Sequence, residues 1–146
     1  MTAKRISIIC LFISMLFCLP SKAQKPGDIV SEQTIRKLGE KHFFSISPIP
    51  DDIFRLMQGK TYKKNCTVAR SELRYLRCLQ VDKDGRKRVG AMVVNKAIAA
   101  AVLDSLKKLY EAKYPIERMR LIDYWDANDE RAMRANNSSS FNFRFI

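Results

Sequence analysis

Histidine is almost missing from this chain: His42 is the only one among 146 residues. A catalytic zinc needs about three protein ligands and an open position, so one imidazole excludes any centre built on a pair of histidines. His42 stands beside Phe43 and Phe44 and reads as an ordinary surface or packing residue. Cysteine is scarce too. Of the four, Cys10 and Cys18 fall in the first apolar run, leaving Cys66 and Cys78. Two thiols without a neighbouring histidine are too few for a closed zinc site; in an oxidising compartment they are a candidate disulfide. That first run is too short to span a bilayer comfortably, and no second apolar segment follows it. No repeat is present, and the only low-complexity tract is Ser138-Ser139-Ser140. Asp82 and Asp84 lack the acidic residue that closes a calcium loop of about twelve residues, so they belong to a plain turn.

What is present begins with an export signal. Lys4 and Arg5 precede an apolar run from Ile6 to Leu19, broken only by Ser7 and Ser14. Pro20 then leads into Ser21-Lys22-Ala23, a small-x-small cleavage pattern ahead of Gln24. The bulky Phe17 before Cys18 argues against a lipid anchor. Met1 to Ala23 is therefore expected to be a cleaved signal peptide, and the product secreted or periplasmic with no membrane attachment. The rest is long enough for one domain and too short for two ordinary ones.

The formal net charge is +12, and the leader removes only Lys4, Arg5 and Lys22 from it. A surface of that sign suits an anionic envelope polymer, nucleic acid or a membrane surface. The clusters Lys60/Lys63/Lys64 and Arg86/Lys87/Arg88 occupy turn-like stretches without interleaved aromatics. They read as a solvated basic surface and not as a nucleic-acid groove.

From Gln24 to Pro50 the chain is a polar lead-in with sparse apolar positions (Ile29, Val30, Ile35, Leu38), ending in the extended linker Ser47-Pro48-Ile49-Pro50. Asp51 can cap a short helix over Asp52 to Gln58 that stops at Gly59. Leu73 to Val81 predicts a strand, Asp82 to Gly85 a turn, and Val89 to Val94 the returning strand of a hairpin. Asn95 is a good N-cap for a helix from Lys96 to Lys113, striped by Ile98, Val102, Leu106 and Leu109 and widened by Leu103 and Tyr110. Tyr114-Pro115 ends it. A strand from Ile116 to Ile122 and an acidic, solvated loop from Asp123 to Glu130 follow. The expected fold class is α+β, the long helix covering one face of a small sheet.

The final stretch is the most distinctive. Asn136-Asn137-Ser138-Ser139-Ser140 is a polar loop dense in donors and acceptors, and Phe141, Phe143 and Phe145 then alternate with Asn142, Arg144 and Ile146 at the period of a strand. A strand with so apolar a face needs a core beside it, yet the sequence stops there. Removing such a cover leaves an edge prone to association.

Taken in order, Leu73-Arg74-Tyr75-Leu76, Asp84-Gly85, Val93 to Ala99, Tyr114-Pro115-Ile116-Glu117, Met119-Arg120-Leu121-Ile122, Asn136-Asn137-Ser138-Ser139 and Phe141-Asn142-Phe143-Arg144 resemble the exported D-alanyl-D-alanine carboxypeptidase-like zinc peptidases of bacteria. These are relatives of the vancomycin-resistance dipeptidases. The resemblance runs from about Asp51 to Arg144, and the asparagine-rich loop with its phenylalanine-asparagine-aromatic-arginine sequel is its most specific part.

That resemblance implies cleavage of peptidoglycan stem peptides by a zinc-activated water, the metal held by two histidines and an aspartate with a glutamate as base. Those ligands follow the arginine strand in relatives. Here only Phe145 and Ile146 follow Arg144, and His42 lies in the other half. The expectation is thus residues 51–146 as the N-terminal portion of such a domain, without catalytic residues or metal ligands and inactive alone. By the same resemblance Arg144 contacts substrate or developing negative charge, while Asn136, Asn137, Ser138, Ser139 and Asn142 shape the substrate cleft. Ala132, Ser138 and Ser140 stand where relatives carry serine, threonine and alanine. The implied partner is peptidoglycan or another anionic envelope polymer. The rival reading is a non-catalytic basic module that binds such a polymer.

Overall fold

The computed structural model describes residues 23–144; the expected leader, but for Ala23, lies outside the described residues, as do Phe145 and Ile146. The fold is α+β. Its frame is the hairpin of β2 (Leu73–Val81) and β3 (Lys87–Asn95), antiparallel and in register from Leu73↔Asn95 to Val81↔Lys87. β2 has the expected bounds, while β3 is longer at both ends than the apolar run Val89 to Val94 predicts, because backbone pairing continues through polar residues once the turn fixes register. Asp82 closes that turn: its Oδ1 accepts from the Asp84 and Arg86 amides at 3.0 and 2.9 Å.

The alternation of a strand gives the hairpin two apolar faces. Leu76, Cys78, Met92 and Val94 face α3 (Ala99–Glu111) and pack against Ala99, Val102, Leu103 and Leu106. Tyr75, Leu79, Val89 and Val93 face the other way, toward Phe43, Ile35, Ile49 and Met57. Those partners come from the lead-in, which does more than link. It carries α1 (Glu32–Leu38), capped by the Ser31 hydroxyl accepting from Thr34 N, and β1 (Ser45–Ser47), which pairs antiparallel with β2 and makes a third strand. The short helix α2 (Asp51–Met57) starts at Asp51, with Pro50 at the cap position in place of the expected aspartate. Asp51 is instead spent on Arg70 at 2.7 Å.

Several expected boundaries move. Asn95 does not cap the long helix; its Oδ1 accepts from Ala97 N at 2.8 Å in a local turn, and the helix begins three residues further on. Ile98 therefore stays outside the apolar stripe, 51% exposed. The helix ends at Glu111, ahead of Lys113, which takes φ 54°. The strand expected over Ile116 to Ile122 shrinks to β4 (Arg118–Met119), parallel to β5 (Asn137–Ser138). Ile116 and Leu121 are drawn into the core as single anchors, so no ladder extends between them. The stretch read as an acidic loop is a 3₁₀ turn, Ile122–Trp125, followed by α4 (Asp129–Arg134), capped by Asn128 Oδ1 accepting from Arg131 N. Cys66 and Cys78 are not bridged: both thiols are free, Cys66 donating to Val68 O at 3.7 Å and Cys78 buried 3.5 Å from Met119 Sδ. Burial pushes the Cys78 thiol up to about 12, which keeps it protonated and unreactive.

Candidate functional site: a polar cleft at the 136–144 segment

The expected aromatic strand is absent among the described residues. Phe141 to Arg144 has no regular secondary structure; its backbone bonds run from Phe141 N to Val93 O and from Phe143 N to Thr61 O, each at 3.1 Å. Each bond goes to a different element, so no ladder forms. The alternation nonetheless sorts the side chains. Phe141 joins the core beside Tyr62, with ring centroids 6.3 Å apart. Asn142 and Arg144 line a cleft of about 360 Å³ together with Lys60, Lys63, Asp126 and Asp129.

The cleft is built from two loops that a buried carboxylate ties together. Asp123 is fully buried, and its Oδ1 accepts from Thr61 Oγ1 at 2.7 Å and Thr61 N at 3.1 Å. Burial raises its pKa above the ordinary value, opposed by the two Thr61 bonds. This anchor brings Lys60 against the loop, where its ammonium donates to Asp123 O at 3.1 Å and pairs with Asp126 at 3.0 Å. Hydrogen bonds from Lys60 and Arg131 hold Asp126 below the usual carboxylate range. Asp126 and Ala127 both adopt left-handed angles, φ 55° and 56°. For alanine such a conformation costs about 1 kcal/mol or more, and here it turns the chain from the 3₁₀ segment into α4 along the cleft wall. Across from it, Arg144 donates to Asp129 at 2.6 Å. Lys63 has no ion-pair partner among the described residues.

The residues singled out in the sequence are divided by the fold. Asn142 and Arg144 reach the cleft. Asn136 is exposed at φ 49°, a turn conformation asparagine tolerates, and it lets the chain reverse from α4 into β5. Asn137 is committed to structure: its Oδ1 accepts from Arg120 N at 3.0 Å and its Nδ2 donates to Arg120 O at 2.8 Å. Ser138 pairs with Met119 in β5, and Ser138 and Ser139 are exposed. Sequence reasoning missed Lys60, Lys63, Asp126 and Asp129, because a lysine cluster and an acidic loop each read separately as solvated. Their opposite signs were the available signal.

A zinc centre does not fit these residues. Among the described residues no group of three or more His, Cys, Asp or Glu side chains is arranged to hold a metal ion. The acids nearest Arg144 are engaged, Asp129 by Arg144 and Asp126 by Lys60 and Arg131. His42 lies edge-on to Phe43 at 5.3 Å, exposed on a 3₁₀ turn. What the cleft offers chemically is cationic hydrogen-bond donors, an amide and the two carboxylates of Asp126 and Asp129. No helix among the described residues is long and apolar enough to cross a membrane. Comparisons with protein-family models, with curated proteins and with solved structures gave no match.

Proposed function

We propose that this chain is an exported protein of the D-alanyl-D-alanine carboxypeptidase-like zinc peptidase kind that holds peptidoglycan stem peptides and does not cleave them with the residues described. The supporting observation is the convergence of Asn142 and Arg144 with Lys60 and Lys63 on one cleft. A stem-peptide carboxylate would take the free donors of Arg144 and the ammonium of Lys63, and the Asn142 amide would read the peptide backbone. Asp129 holds the guanidinium in place before the ligand arrives, which lowers the ordering cost of binding.

The second reading is a non-catalytic module that adsorbs to anionic envelope polymer through its overall charge; the formal net charge of +12 favours it. The two differ in salt dependence and in the residues they need. Retention of the purified chain on peptidoglycan separates them. Stem-peptide recognition predicts retention that survives screening to about 3 Å in part and is lost in Arg144→Ala. General adsorption predicts complete release by salt and indifference to that substitution. No retention at low salt eliminates both, and release of D-alanine by the chain would overturn the non-catalytic assignment.

A further inference from the structure

On the far side of Asn137 lies a second cavity, and its chemistry is independent of the stem-peptide reading. It has a volume of about 200 Å³ and sits where the lead-in, the hairpin and β4 meet, with Gln80 and Arg120 in its wall. Two of its polar atoms have no hydrogen-bond partner in the protein although both are buried: Gln80 Oε1, an acceptor, and Arg120 Nε, a donor. Gln80 is only 3% exposed. Its Nε2 donates to Ile116 O at 2.9 Å, which fixes the amide so that Oε1 is the atom left over. An unmet buried acceptor or donor is destabilising, and here one of each belongs to side chains in the wall of a single cavity.

Both groups are held from behind. Arg120 has its backbone clamped by the Asn137 amide, and its guanidinium lies 4.0 Å from the Tyr124 ring centroid and 6.0 Å from that of Trp125. Gly27, at φ 99°, closes over it; a Cβ there would meet Arg120 Cδ at 3.3 Å. Gly90 leaves the space that Gln80 fills, since a Cβ would come within 2.8 Å of Oε1. The other charged groups in the wall are already engaged: Arg88 with Asp82 at 2.7 Å and Gly27 O at 2.9 Å, Arg118 with Ala135 O at 2.5 Å, and Glu117 with Lys83 N at 3.4 Å. Neither Arg118 nor Arg120 has an ion pair among the described residues, and of the two Arg118 is already spent on a carbonyl.

We infer that this cavity binds a small carboxylate carrying its own hydrogen-bond donor, the carboxylate on Arg120 and a hydroxyl or ammonium on Gln80 Oε1. A single water, with about 30 Å³ of liquid volume, fills only a fraction of the space. The test follows the side-chain N–H signals of Arg120 and Gln80 in the full chain by NMR during titration with lactate, glycine, acetate and ethylamine. Lactate or glycine is expected to give saturable shifts at both residues, whichever wins identifying the donor as hydroxyl or ammonium. Acetate is expected to bind about tenfold or more weakly, and ethylamine not at all. Gln80→Met should bring lactate down to the acetate level. Absence of saturable shifts in the unmodified chain, or equal affinity for acetate and lactate, overturns the inference even if Gln80→Met fails to fold.

Discussion

The β2–β3 hairpin and the segment from Asn128 to Arg144 are held by different forces. In the hairpin, backbone pairing is continuous over nine residues a side, and both faces are roofed by apolar side chains. In the later segment, two paired residues form the only strand among those described, and order comes from scattered single bonds: Asn128 Oδ1 accepting from Arg131 N, the Asn137 amide bonding both sides of Arg120, and the backbone bond from Phe143 N to Thr61 O. Area burial is cooperative and insensitive to any one polar atom. A polar weave is local, so each bond can be cut separately. The lesson is that the rigid half sets position while the woven half exposes donors, as a binding surface requires.

Cutting the apolar half should cost most. Leu76→Ala empties a site with 0% exposure between β2 and α3 and is expected to destabilise the whole fold by about 3–5 kcal/mol, read from chemical denaturation; a loss confined to local fraying would break the comparison. Asp82 is the exception within the hairpin, a polar group that behaves as core. Burial alone would raise its pKa, but bonds from Arg88, from the Arg86 amide and side chain and from the Asp84 amide outweigh it and hold the carboxyl well below the ordinary 3.8. A depressed native pKa adds stability that is present above the unfolded value and is lost as pH falls from there through the lower native value. Asp82→Asn, which strands Arg88, is expected to cost about 3 kcal/mol near neutral pH and to flatten the acid limb of the stability curve. In the woven half the effect is smaller. Asn137→Ala should cost about 1–2 kcal/mol, with hydrogen exchange accelerated at Arg120 N and unchanged across β2.

The same division decided what could be read from the sequence. The hairpin, its turn and the apolar stripe from Val102 to Tyr110 carry their periods openly, because the same side chains that form the pattern make the core. The short 3₁₀ and helical turns between Ile122 and Arg134 do not. They depend on Asp123 finding Thr61 some sixty residues away, and no local pattern encodes that. Asn95 illustrates the limit of capping signals, since its side chain satisfied a nearer amide and left the helix to begin later. In the cleft, the Phe/Asn/Phe/Arg alternation predicted a strand that is absent and marked Phe141, which joins the core, while the partners of Arg144 were visible only once folded. Cys66 and Cys78, a candidate disulfide by sequence, are both free thiols, and Cys78 points into the α3 face beside Met119.

The central claim is that the cleft recognises a peptide carboxylate by fixed donors. Calorimetric titration of the purified chain with a stem peptide ending in D-alanyl-D-alanine, beside the same peptide amidated at its C-terminus, tests it most directly. The account predicts saturable binding of the free acid, weakened about tenfold or more by amidation and likewise by Arg144→Ala, with the melting temperature of that variant little changed because an exposed ion pair contributes at most about 1 kcal/mol. Equal affinity for acid and amide, or binding that ignores Arg144, would contradict it.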